Sequence, residues 1–135
     1  MALDDDGEHG KAIGHLEEAA FGLFRHFGPQ YFQTKDVYNN ALEVCRKITE
    51  PEKAISSLKS LLALGEKLYG RGSLDFCKVL YCVGNALVEH GDISGARELL
   101  EEEIQLAGKL EGPDSKSCIS SIENLRKIIR KANWN

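Results

Sequence analysis

Leu80-Tyr81-Cys82-Val83-Gly84-Asn85-Ala86-Leu87, then Gly91-Asp92-Ile93, then Ala96 and Leu100, is the stretch whose reading decides the fold. Apolar residues on its first side (Val79, Leu80, Val83, Leu87 and Val88) recur at spacings of three and four, the period of one helix face. Those on its second side (Ala96, Leu99, Leu100, Ile104 and Ala107) do the same. Gly91 lies between the two runs and supplies the permissive backbone that ends a helix. The stretch therefore reads as two helices joined by a tight turn.

The pattern repeats along the chain. A shift of 42 residues aligns Lys11-Ala12 with Lys53-Ala54 and Gly95-Ala96, and Leu16 with Leu58 and Leu100. It also aligns Gly28, Gly70 and Gly112, and groups Tyr38 with Leu80 and Ile122. Ala41, Val83 and Leu125 follow in register, then Cys45, Leu87 and Ile129. A fixed period of this length marks a repeat architecture, in which each unit buries its apolar face against the next. Pro29, Pro51 and Pro113 each stand where a helix can begin at no cost in hydrogen bonds. The spacing predicts six helices near 10–27, 33–48, 51–69, 74–90, 93–110 and 115–132, and no strand.

The stretch around Gly84 resembles a tetratricopeptide repeat: a large residue, an aliphatic and a glycine, then a turn glycine, a small alanine and a large apolar residue. The resemblance implies that Gly84 and Ala96 are the small residues where the paired helices cross closely, with Leu80, Val83, Leu87 and Leu100 as the flanking knobs. The 42-residue period is similar to the extended units of kinesin light chains, with Leu68-Tyr69-Gly70 and Leu110-Glu111-Gly112 at the end of the longer second helix. Tyr38-Asn39-Asn40-Ala41 is similar to the Asn-rich segment of their first helices. The preceding unit departs from the pattern, with Leu42 in place of Gly84 and Thr49-Glu50-Pro51 in place of Gly91-Asp92-Ile93, which loosens the crossing expected there. The resemblance spans residues 11–132. It implies an all-α, right-handed α-α solenoid with a concave face lined by the first helix of each pair, and a scaffold or peptide-binding role.

Composition narrows the rest. The 135 residues are 42% hydrophobic and carry a net charge of −4, so one globular domain is expected and a generally basic nucleic-acid surface is not. The domain is expected over residues 11–135, after an acidic tail over 1–10. That N-terminus has no apolar segment of the kind a secretory signal needs, and no apolar run approaches the length of a membrane span. A cytoplasmic chain with no membrane or nucleic-acid partner is the expectation. Cys45, Cys77, Cys82 and Cys118 form no C-x-x-C and fall within helical patterns, where small core thiols are the plain reading. His9, His15, His26 and His90 are scattered, and no nucleophile elbow, zinc motif or phosphate loop occurs. No enzyme, metal or cofactor is expected.

The resemblance implies a groove lined by Asn39, Asn40, Glu43, Lys78, Tyr81, Asn85, Glu123, Asn124 and Lys127. An asparagine amide donates and accepts at once, which suits a ligand held by its main chain; the alternative is that these are ordinary polar surface residues. Lys78 and Asn85 also suit a carboxylate clamp, but a complete set does not assemble. A second expectation is self-association, to a homodimer, through the helix ends. In the first helix Ala12, Leu16, Ala20, Leu23 and Phe27 fit the repeat core, which leaves Ile13, Phe21 and Phe24 over. In the last, Ile119, Ile122, Leu125, Ile128 and Ile129 lack a covering partner, and Trp134 follows them. The basic residues Arg126, Lys127, Arg130 and Lys131 complement that helix's dipole.

Overall fold

A computed structural model describes residues 2–133, with side chains described from Asp6 onward. The described residues form six α-helices and no strand: α1 (Ala2–Phe27), α2 (Phe32–Lys47), α3 (Pro51–Tyr69), α4 (Leu74–Glu89), α5 (Ile93–Glu111) and α6 (Lys116–Asn133). Five of the six lie within one residue of the expected bounds. The exception is α1, which begins at Ala2, so the acidic stretch expected as a tail forms the helix's first turns. Gly7 and Gly10 break the apolar rhythm there and hide the helix from a periodicity reading. Acidic side chains at a helix N-terminus favour it through the dipole.

The helices fall into two compact units, Met1–Gly70 and Arg71–Asn135. In the first, α2 packs mainly on α1 and only lightly on α3. Its core is Tyr38, Ala41, Leu42 and Cys45 of α2 with Ala54, Leu58, Leu61 and Leu68 of α3. The Tyr38 hydroxyl donates to the carbonyl of Leu61 and so satisfies its own buried oxygen. From α1 the buried residues are Asp6, Ile13 and Ala20. They are seven apart, close to two helical turns, and so share one narrow face. That face corrects two expectations: Ile13 is core rather than a leftover, and Phe27 is 60% exposed at the helix end.

Asp6 does more than fill space. Its carboxylate accepts from the backbone N–H of Thr49 (2.9 Å) and of Glu50 (3.1 Å), just ahead of Pro51 at the start of α3. The Thr49 hydroxyl is bonded to the same carboxylate. The first helix thus anchors the backbone that leads into α3, whose N-cap residue Glu50 makes no side-chain cap bond. The backbone donor from Thr49 is the main influence that holds the Asp6 carboxyl below its usual range.

In the second unit α4 lies along α5, and α5 carries α6. The close crossing expected at Gly84 is present. A β-carbon there would stand 2.9 Å from Cγ and Cδ2 of Leu100 and 3.6 Å from the carbonyl of Ala96. Leu80, Val83, Leu87, Ala96 and Leu100 are all at most 1% exposed around it. In the first unit Leu42 stands at the equivalent place, and the α2–α3 contact is correspondingly slight. Helix ends follow local chemistry: the Ser73 hydroxyl accepts from the N–H of Phe76, and the Asp92 carboxylate from that of Gly95. Gly70 and Gly112, one repeat apart, close α3 and α5 with φ of +80° and +98°, the left-handed region only glycine enters freely.

Candidate functional site

The second unit brings part of the expected set together. The side-chain N–H of Asn124 donates to Oδ1 of Asn85 at 3.0 Å, joining α6 to α4, and the Asn85 amide donates to the carbonyl of Tyr81 at 3.0 Å. Asn85 therefore turns part of its bonding capacity inward and fixes the orientation of Asn124. Among the described residues no donor reaches the carbonyl oxygen of Asn124. Beside the pair lies a groove of about 690 Å³ lined by Val88, Ile93, Asn124, Lys127, Ile128, Arg130, Lys131 and Ala132. Val88, Ile93, Ile128 and Ala132 give it an apolar floor. Three cations stand on its rim, and none of them pairs with a carboxylate among the described residues.

The remaining expected residues are distributed as follows. Lys78 and Tyr81 are exposed on α4, and Glu123 is exposed on α6. Asn39, Asn40 and Glu43 are exposed on α2 in the first unit, where Glu43 faces Arg46 at 3.6 Å. Of the residues expected at an association surface, Phe21 is exposed and Phe24 half-buried, whereas Ile13 is removed by burial. Ile128 is half-buried in the groove wall, and Trp134 lies outside the described residues. Val88, Ile93, Arg130, Lys131 and Ala132 were not expected at the groove. For Arg130 and Lys131 the signal is the run Arg126-Lys127-Ile128-Ile129-Arg130-Lys131, which the helix dipole already accounts for; Val88, Ile93 and Ala132 carry none.

Behind the groove, α6 is seated on α5 through a buried acid. Glu103 is 3% exposed; its Oε2 accepts from the Ser121 hydroxyl at 2.9 Å and lies 3.8 Å from the Cys77 thiol. Its Oε1 has no partner. The repeat makes this position informative: 42 residues earlier stands Leu61, and Val79 stands 42 residues before Ser121, both buried and apolar. Two core positions have changed to polar residues, and the two changed side chains bond each other. Burial raises the Glu103 carboxyl above its ordinary 4.5, against the opposing hydrogen bonds from Ser121 and Cys77. Burial, with Glu103 alongside, likewise pushes the Cys77 thiol up to about 11. Burial, with Glu17 nearby, pushes that of Cys45 up to about 12. Thiols held protonated in this way are poor nucleophiles. Among the described residues no three His, Cys, Asp or Glu side chains converge as metal ligands, and no helix is long and apolar enough to cross a membrane.

No protein-family model and no curated protein matches the chain.

Proposed function

We propose that the chain is a non-catalytic protein-interaction module, a tetratricopeptide-like α-α solenoid acting in the cytoplasm, and that it holds a peptide segment of a partner protein between α4 and α6. The observation that carries the reading is the groove itself. An apolar floor (Val88, Ile93, Ile128, Ala132) can bury side chains, and a rim of Lys127, Arg130 and Lys131 attracts carboxylates. At its head, the oriented amide of Asn124 can meet a peptide main chain. Apolar burial supplies affinity, while the cations set the sign of the ligand and speed its approach. The 42-residue repeat and the close crossing at Gly84 support the architecture this reading needs.

The test is selection of binders from a random displayed-peptide library by the wild-type chain. Enriched peptides should combine Asp or Glu with apolar residues and bind at micromolar Kd. An Ile128→Asp, Lys127→Glu double variant should weaken them by at least about tenfold, since burying an unpaired charge and reversing a rim charge each cost on the order of a kcal/mol or more. Peptides that bind the double variant as tightly as the wild type, or no enrichment at all, would refute the reading.

A further inference from the structure

Four of the chain's five phenylalanines lie between residues 21 and 32. The same turn occurs three times. It reads Tyr69-Gly70-Arg71-Gly72-Ser73-Leu74 between α3 and α4, and Glu111-Gly112-Pro113-Asp114-Ser115-Lys116 between α5 and α6. Between α1 and α2 it reads Phe27-Gly28-Pro29-Gln30-Tyr31-Phe32. At the places of Phe27, Tyr31 and Phe32 the second copy has Tyr69, Ser73 and Leu74 and the third has Glu111, Ser115 and Lys116, so the turn's geometry does not require three aromatics. Nor does the core: Phe27 is 60% and Phe32 63% exposed. Tyr31 joins them into one ridge, stacked on Phe27 with ring centroids 4.5 Å apart and 5.2 Å from Phe32.

Cations outnumber acids around the ridge, where the exposed Asp36 stands one helical turn from Phe32 on the same face. No Asp or Glu occurs from residue 19 to residue 35, a span that carries Arg25, His26 and Lys35 in a chain whose net charge is −4. Lys67 of α3 joins them in space: its ammonium lies 5.8 Å from the Phe21 ring centroid, with the Arg25 guanidinium 5.9 Å from the same centroid. The surface that matches is apolar just below an anionic layer. We propose that the α1–α2 turn docks on an anionic phospholipid bilayer, with Phe27, Tyr31 and Phe32 entering the headgroup boundary and Arg25, Lys35 and Lys67 meeting lipid phosphates and carboxylates. Aromatic rings with Lys and Arg are the residue types that settle at that boundary. The contact is peripheral and reversible, because a few aromatic side chains and a few cations are each weak anchors and hold only together. A second copy is a poorer occupant of this patch, since two such turns face to face would oppose like charges.

Vesicle flotation of the full chain tests the proposal, with neutral phosphatidylcholine vesicles compared against vesicles holding about 30% phosphatidylserine at low salt. Binding is expected only to the anionic vesicles. The partition coefficient should fall by about tenfold or more in a Phe27→Ser, Phe32→Ser variant and in an Arg25→Glu, Lys35→Glu variant. All four side chains lie on the surface or half-exposed, so circular dichroism should show both variants as helical as the wild type. No flotation with anionic vesicles overturns the proposal, as does equal binding to neutral ones, or binding that survives either variant. Light scattering on the same samples identifies the remaining occupant: a dimer that the serine variant dissolves would assign the ridge to a second copy instead.

Discussion

Asp6 and Glu103 are both buried carboxyls, yet they pull stability in opposite directions with pH. Asp6 accepts backbone and hydroxyl bonds at the start of α3 and is held below its ordinary 3.8. A depressed folded value contributes stability that is fully present above the unfolded value and is lost as pH falls through the folded one. Glu103 sits at a position that is leucine one repeat earlier, and burial holds it above its ordinary 4.5. Here the folded state keeps a proton that the unfolded chain releases. Stability therefore falls as pH rises from about 4.5 to the raised folded value and stays level beyond it. Urea unfolding across pH should show that Glu103→Gln removes the decline above about 4.5 and that Asp6→Asn reduces the acid-side loss. An unchanged slope in Glu103→Gln would mean that this carboxyl is not protonated in the folded state.

At the scale of elements, two glycines separate packing from backbone propensity. Gly84 lies where α4 crosses α5, and an added methyl group meets Leu100 with no room to retreat. Gly84→Ala should destabilise the fold by about 1–2 kcal/mol despite alanine's better helix propensity, because overpacking a tight core outweighs it. Gly22 lies within α1 with nothing within 4 Å of an added β-carbon. Gly22→Ala should stabilise by about 0.5–1 kcal/mol, the usual penalty for glycine inside a helix. Denaturant midpoints of the two variants, one below and one above the wild type, check both signs.

The same elements show what could be read in advance. Helix positions, the small residues at the α4–α5 crossing and the turn glycines were legible because periodicity and conformational freedom are local properties. Residues hidden from such a reading depend on partners distant in sequence. Asp6 holds the backbone at Thr49 and Glu50, more than forty residues away, and no local pattern at the beginning of α1 announces that partner. Ile13 is core because α1 presents the Asp6–Ile13–Ala20 face, and a single-helix pattern does not choose between adjacent faces.

For the molecule as a whole, the expected groove was legible in part. Asn85, Asn124 and Lys127 fall together because they stand at matching or neighbouring places of two repeats, which periodicity can show. In the sequence the helix dipole is reason enough for the basic rim, and nothing there reveals that Val88 and Ile93 supply an apolar floor beside it. The two units also differ in what they expose. The first exposes an aromatic, cationic turn, and the second holds the groove and the buried acid that seats one of its walls. The central claim is that the groove between α4 and α6 is the peptide site. Hydrogen–deuterium exchange of the chain, with and without a library-selected peptide at saturation, tests it most directly. The account predicts slower exchange confined to residues 85–93 and 124–132. Protection centred on α1 or α2, or no peptide-dependent protection in α6, would contradict it.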